Sequence, residues 1–226
     1  MTITIHDELI QGSDEWLAAR CGLQTASEMK LILTPTLKVA NNDKTRAHVF
    51  ELLAQRITGY VEPTYIGDDM LRGMADEITA RDLYSEHYAP VTDVGFITND
   101  ELGFTIGYSP DGLVGDDGLI EIKSRRQKYQ IKTIAENEVP QEYMLQIQTG
   151  LMVTGRKWLD FISYSGGLPM FVKRVFPDPE MRAAIVNAAT EFEMRIQEKY
   201  ADYRAATAAM QPRIDTDREM EEEMMV

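Results

Sequence analysis

The chain reads as an α/β domain, a central mixed β-sheet with helices on both faces, and three observations predict it. Helical periodicity and helix caps dominate the residues up to about Tyr88. Short apolar runs set between turn residues then make a strand meander. Last comes the order helix, two strands, long helix. At 226 residues, with 44% hydrophobic and 27% charged side chains, the chain has the composition of a globular protein able to bury a real core.

Ser13 is placed to cap a short helix through Arg20, and Thr25 or Ser27 to start another through Leu33. Thr34 to Asn42, with Pro35 and the Asn41-Asn42-Asp43 cluster, reads as a loop. A helix follows from Asp43 to Thr58, with Gly59 as its stop. The next spans about Asp68 to Tyr88, where Met70, Met74, Glu77, Ile78 and Tyr84 fall at helical spacing and define the expected buried face. Strands are expected at Val91–Thr98, Gly103–Tyr108 and Leu119–Lys123, and a basic helix over Gln127–Ala135. Pro140 breaks the chain before a helix from Gln141 to Val153. Strands Trp158–Tyr164 and Met170–Phe176 meet through Ser165-Gly166-Gly167, and a helix from Asp178 to Ala209 closes the fold. No repeat or linker divides it, so residues 1–211 are expected to form one domain and 212–226 a mobile acidic tail.

The single cysteine, Cys21, rules out an internal disulfide and suits a reducing cytoplasm. The N-terminus lacks the layout of a signal peptide, no apolar run approaches a membrane span, and His6, His48 and His87 lack zinc-site spacing. The net charge of −14 looks unsuited to a polyanionic partner, but its distribution is uneven. Asp215 to Val226 carries a net −5, whereas Glu121 to Lys132 carries Lys123, Arg125, Arg126, Lys128 and Lys132 against Glu121 alone, a net +4. An acidic body with a basic cleft confines DNA to one face. A solvated basic helix is the plainer alternative.

The chemistry concentrates in Ser109-Pro110-Asp111-Gly112, followed by Glu121-Ile122-Lys123. In a strand Glu121 and Lys123 share a face while Ile120 and Ile122 turn to the other. If Phe104–Tyr108 pairs with Leu119–Lys123, Asp111 comes near Glu121. Two carboxylates and an ammonium then converge. Phosphodiester hydrolysis requires an anionic phosphate to accept hydroxide, and hard oxygen ligands that hold Mg²⁺ neutralise the phosphate and lower the pKa of water. Lys123 is placed to orient or deprotonate the attacking water. By itself the pattern also describes a surface hairpin with an exposed Glu–Lys pair.

The whole arrangement resembles a known family. The SPDG…EIK core resembles the PD-(D/E)xK nuclease signature, which implies a restriction-endonuclease-like core. Beyond it, the chain resembles the phage lambda exonuclease group, the YqaJ-type viral recombinases. Trp16-Leu17-Ala18-Ala19-Arg20, Gly22 and Thr25-Ala26-Ser27-Glu28 are similar to its N-terminal pattern. Gly73-Met74-Ala75-Asp76-Glu77 and Tyr143-Met144-Leu145-Gln146-Ile147-Gln148 resemble its two helical motifs.

That resemblance implies Asp111 and Glu121 as metal ligands, with the Ile122 carbonyl a third. Glu77 would serve a second ion, Lys123 the attacking water, and Gln146 the nucleophile or scissile phosphate. Arg20 and Ser27 would anchor a terminal 5′-phosphate. Tyr143 of the second helical motif would line the DNA, together with Arg125, Arg126, Lys128 and Lys132, which the charge distribution already marks as a basic face. It also implies a Mg²⁺ enzyme with two ions, Mn²⁺ as a substitute, working in the cytoplasm of a bacterial host. Family members digest one strand of duplex DNA from its 5′ end, form a ring-shaped homotrimer and hand 3′ single strands to an annealing protein. The competing readings are a site-specific endonuclease of the same fold and a non-catalytic DNA-end-binding or scaffolding module.

Overall fold

The computed structural model describes residues 2–63 and 67–218. The Met- and Glu-rich stretch from Glu219 to Met225 therefore lies outside the described residues. Among the described residues, seven α-helices and eight strands are built largely where caps and periodicity put them. The first helix, α1 (Asp14–Arg20), begins at Ser13, whose side chain accepts from the Trp16 N–H, and it carries acids in its first turn and Arg20 in its last. A 3₁₀ turn (Ala26–Glu28) leads into the one-turn α2 (Met29–Ile32). Asn42 caps α3 (Asp43–Thr58) by accepting from Thr45 N–H, and Gly59 ends it at φ 65°, a conformation glycine adopts without steric cost. After α4 (Asp68–His87), α5 (Gln127–Glu136) and α6 (Gln141–Thr154), the Asp178 carboxylate caps the long α7 (Pro179–Ala209).

The mixed sheet expected at the centre is realised as two four-stranded sheets. One has the order β1 (Ile3–His6), β3 (Phe96–Asn99), β4 (Ile106–Tyr108), β2 (Gln24–Thr25), with β2 parallel to β4. The other has the order β5 (Gly112–Val114), β6 (Gly118–Ser124), β7 (Trp158–Tyr164), β8 (Phe171–Val175), with β6 and β7 parallel. The expected pairing of Phe104–Tyr108 with Leu119–Lys123 does not form. β4 pairs with β3, and Gly112–Val114 supplies the antiparallel partner of β6. Pro110 explains the break, because it has no N–H to continue a ladder. The chain leaves the first sheet at Tyr108 and enters the second at Gly112, so Ser109-Pro110-Asp111 bridges the two.

β6 alternates as anticipated. Leu119 belongs to the larger core with α6 and α7, while Ile120 and Ile122 pack with Ala80 and Tyr84 of α4 in a smaller one. Glu121 and Lys123 thus share the α6 side. Helix α6 approaches this junction closely through Gly150: a Cβ there would meet Tyr108 Cε1 at 2.6 Å, so glycine leaves room for the tyrosine ring. On α4 the expected buried face is only partly buried. Ala80 and Tyr84 are enclosed, but Met70, Met74 and Ile78 are exposed, because the helix meets the sheet through its C-terminal half. Among the described residues, no helix is long and apolar enough to cross a membrane.

Candidate active site

Asp111 sits in the bridge between the sheets, where the Ile122 backbone N–H donates to its Oδ2. A strand residue presents its N–H and C=O to the same edge, so the Ile122 carbonyl faces this side too. Glu121, 1% exposed, is held from three directions. Lys123 Nζ lies 2.6 Å from Oε1, Gln146 Nε2 donates to the same oxygen at 2.6 Å, and the Tyr108 hydroxyl donates to Oε2 at 2.6 Å. Gln146 is thereby brought to the carboxylate. Tyr108, not anticipated from sequence, grips its other oxygen. The signal available was positional: Tyr108 immediately precedes the SPDG turn, on a strand end.

Glu77 reaches the cluster from α4, with Arg81 donating to its Oε1 at 2.6 Å. Burial, then the charge of Glu121, raises the Glu77 carboxyl above its ordinary range, against the pull of Arg81. Burial and the neighbouring Glu121 and Glu77 push Asp111 well above the usual carboxylate value. Burial alone would lower the Lys123 ammonium, but Glu121 and Asp111 hold it above its ordinary value. The Tyr108 hydroxyl is pushed up by burial and then by the same two carboxylates. These shifts have one physical cause, three carboxylates in a poorly solvated space with too little positive charge. A set of hard oxygen donors whose negative charge is under-compensated fits a divalent cation.

Arg20 meets the same bridge at Ser109. Its guanidinium donates to Ser109 Oγ at 3.2 Å and to Thr25 Oγ1 at 3.5 Å, and stacks 4.3 Å from the Trp16 ring centroid. Trp16 Nε1 also donates to Ser109 Oγ, at 3.0 Å. Burial lowers the Arg20 pKa, with Glu28 opposing. The exposed Ser27 hydroxyl is 3.3 Å from that of Thr25, which accepts from Arg20 and donates to Glu28, so Thr25 joins the two available donors, Arg20 and Ser27, into one cluster. Thr25 and Ser109 were missed as members, and only the sheet junction brings them there. A cleft of about 560 Å³ opens beside this cluster, lined by Trp16, Arg20, Thr25 and Glu28 among others, and it does not include Asp111 or Glu121.

The basic segment is less available than its charge suggests. Arg125, 9% exposed, donates to Glu142 at 2.7 Å and to the Tyr143 hydroxyl. Tyr143 in turn stacks on Phe161 at 5.5 Å. Arg126 pairs with Asp69 at 2.8 Å, and Lys132 lies 3.8 Å from Glu136. Lys128 rests on the Tyr129 ring at 4.7 Å.

Residues 15–157 match the family model of the YqaJ-like viral recombinase domain, a span holding Arg20, Ser27, Glu77, Asp111, Glu121, Lys123 and Gln146. The fold is similar to that of an alkaline exonuclease (LHK-Exo) from Laribacter hongkongensis. The two are 35% identical with a TM-score of 0.76, and the match covers 87% of this chain and 100% of that one. The same exonuclease in complex with dAMP matches at 36% identity, with the same TM-score and coverage. A phage related exonuclease from Haemophilus somnus 129PT shares the fold at 14% identity and a TM-score of 0.55, over 80% of this chain and 96% of that one. No curated protein matches the chain. With more than half of its length in the family model and a relative matched over its whole length, the chain belongs to the YqaJ-like viral recombinase domain family.

Proposed function

We propose that this protein is a Mg²⁺-dependent exonuclease that digests one strand of linear duplex DNA in the 5′→3′ direction, leaving 3′ single strands for recombination by annealing. Family membership supports a DNA exonuclease. The observation that carries the direction is the bridge itself: Ser109, bonded to Arg20, is two residues from Asp111, bonded at Ile122. A donor cluster suited to a terminal phosphate and a carboxylate cluster suited to a metal therefore share one turn. An exonuclease needs that coupling, because the end it reads and the bond it cuts lie a nucleotide apart.

In this reading Asp111, Glu121 and the Ile122 carbonyl hold one ion, and Glu77 serves a second. A bound divalent cation neutralises the scissile phosphate and lowers the pKa of the attacking water. Lys123, kept as an ammonium by Glu121 and Asp111, orients that water and offsets charge developing on the phosphate. Gln146 and Tyr108 fix the Glu121 carboxylate so that no reorganisation is needed during the reaction. Arg20 forks onto the terminal phosphate, with the Ser27 hydroxyl as a further donor, while Thr25, whose proton goes to Glu28, accepts from the guanidinium and holds it in place. A homotrimeric ring and an annealing partner are expected from the family resemblance.

The test is digestion of linear duplex beside a covalently closed circle of the same sequence, with Mg²⁺, with Mn²⁺ and without either. Loss of the linear substrate with the circle intact, only in the presence of metal, is expected. Discrete products from the circle would make it an endonuclease. Lys123→Ala should reduce cleavage by about 10²–10³-fold while DNA-end binding persists. A mutant as active as the parent would remove Lys123 from the mechanism.

A further inference from the structure

A second group of metal-ligand side chains stands in the cleft beside Arg20, apart from the carboxylates of the bridge. Glu28 ends the 3₁₀ turn, while His48 and Glu51 lie one turn apart on α3. One ligand atom from each lies within 4.8 Å of the other two, and among the described residues this is the one such group of His, Cys, Asp or Glu. His48 is 3% exposed, with its ring stacked 5.3 Å from Phe192 and its Nδ1 at 2.8 Å from Glu51 Oε2. Glu28 accepts the Thr25 hydroxyl at 2.6 Å. Among the described residues neither glutamate has an arginine or lysine within ion-pairing distance, the His48 contact being the ion pair of Glu51.

We propose that Glu28, His48 and Glu51 form a second metal site, taking a borderline divalent ion of the Zn²⁺ class. One imidazole nitrogen with two carboxylate oxygens suits Zn²⁺, and Mg²⁺ prefers oxygens alone. The site therefore differs in metal preference from the all-oxygen cluster of Asp111, Glu121 and Glu77. Tetrahedral ligands at about 2.0–2.2 Å from zinc stand roughly 3.4 Å apart, so closure needs side-chain movements of about an ångström. Glu51, 56% exposed, is free to make them. Glu28 and Glu51 both line the cleft, which leaves the fourth position facing it.

The position gives the ion a consequence. Glu28 is the carboxylate that opposes burial at Arg20 and engages the Thr25 hydroxyl. A cation on Glu28 makes the cleft more positive and strengthens its hold on a terminal phosphate. This second step rests on the reading of Arg20 as a 5′-phosphate anchor, and metal binding itself does not.

Equilibrium dialysis of the full chain against Zn²⁺ tests the site, using the Asp111→Asn protein to weaken the other cluster. One zinc per chain is expected in Asp111→Asn. Adding Glu28→Gln or Glu51→Gln should weaken it by at least about tenfold, the order seen for loss of even an outer-shell partner. Circular dichroism confirms that each variant is folded. Unchanged affinity in both glutamine variants overturns the proposal. So does a histidine NMR spectrum in which His48 is protonated and Zn²⁺ does not displace the proton. In the second arm, Zn²⁺ should raise the binding preference for 5′-phosphorylated over 5′-hydroxyl ends in the parent and not in Glu51→Gln. If zinc binds but Arg20→Ala leaves that preference intact, the anchor reading fails and the metal site stands.

Discussion

Arg20 and Arg125 are both set against aromatic rings, yet their surroundings differ in the one respect that matters for an anion. Arg125 spends its charge on Glu142 and the Tyr143 hydroxyl, and its neighbour Arg126 on Asp69. Arg20 has hydroxyl partners and the face of Trp16, and among the described residues no carboxylate within ion-pairing distance. A partly desolvated guanidinium with no carboxylate in direct contact is poised for phosphate, and one already paired is poised for stability. Charge counted along a sequence therefore overstates what the basic segment offers to DNA. The lone arginine on α1 understates it.

The largest effect that sharpens this contrast belongs to Arg20. Arg20→Ala should lose about 10–100-fold in affinity for 5′-phosphorylated over 5′-hydroxyl ends, the equivalent of one charge-assisted hydrogen bond at ~1.5–3 kcal/mol. An unchanged ratio in competition binding removes Arg20 from the anchor. Tyr108→Phe tests the other end of the bridge. Losing one donor to Glu121 should weaken divalent-metal binding by roughly tenfold, with little change in end preference. An effect on end preference alone would reverse the assignment.

A smaller effect comes from pH. Asp111 and Glu77 have carboxyls raised in the folded state, so without metal the fold binds more protons than the unfolded chain. Their contribution to stability is present below the unfolded carboxylate value, about 4, and is lost as pH rises through the folded values. The metal-free protein should therefore melt at a lower temperature at pH 8 than just above the unfolded carboxylate value, at pH ~5. A divalent cation should cancel the difference, and melting curves that ignore metal at both pH values would count against the cluster as its site. The smallest effect is at Lys128, which rests on Tyr129. Lys128→Ala should weaken DNA binding uniformly across sequences and lower the salt slope by about one. A larger loss than Arg20→Ala would break the comparison.

Local signals carried far in this chain. Ser13, Asn42, Gly59 and Asp178 mark helix ends because caps act within a few residues. The alternation of Glu121 and Lys123 against Ile120 and Ile122 is a property of one strand, and it was legible too. What depended on distant pairing was not. Ile3–His6 and Gln24–Thr25 are strands only because β3 and β4 lie beside them. Glu121 meets Asp111 because β5 pairs Gly112 with Ile120 of β6, and not because β4 pairs with β6 as spacing suggested. Tyr108, Ser109 and Thr25 enter the candidate site by that junction alone, and the commitment of Arg125 to Glu142 arises from the packing of α6 beside β6.

The central claim, that one bridge joins a 5′-phosphate anchor to a metal-binding carboxylate cluster, is tested most directly by strand polarity. A linear duplex labelled at the 5′ end of one strand and, in a second preparation, at the 3′ end of the same strand is digested with Mg²⁺. Early release of the 5′ label as a mononucleotide is predicted, faster when that end is phosphorylated, with the 3′ label retained until late. Release of the 3′ label first, or equal rates from phosphorylated and hydroxyl ends, contradicts it.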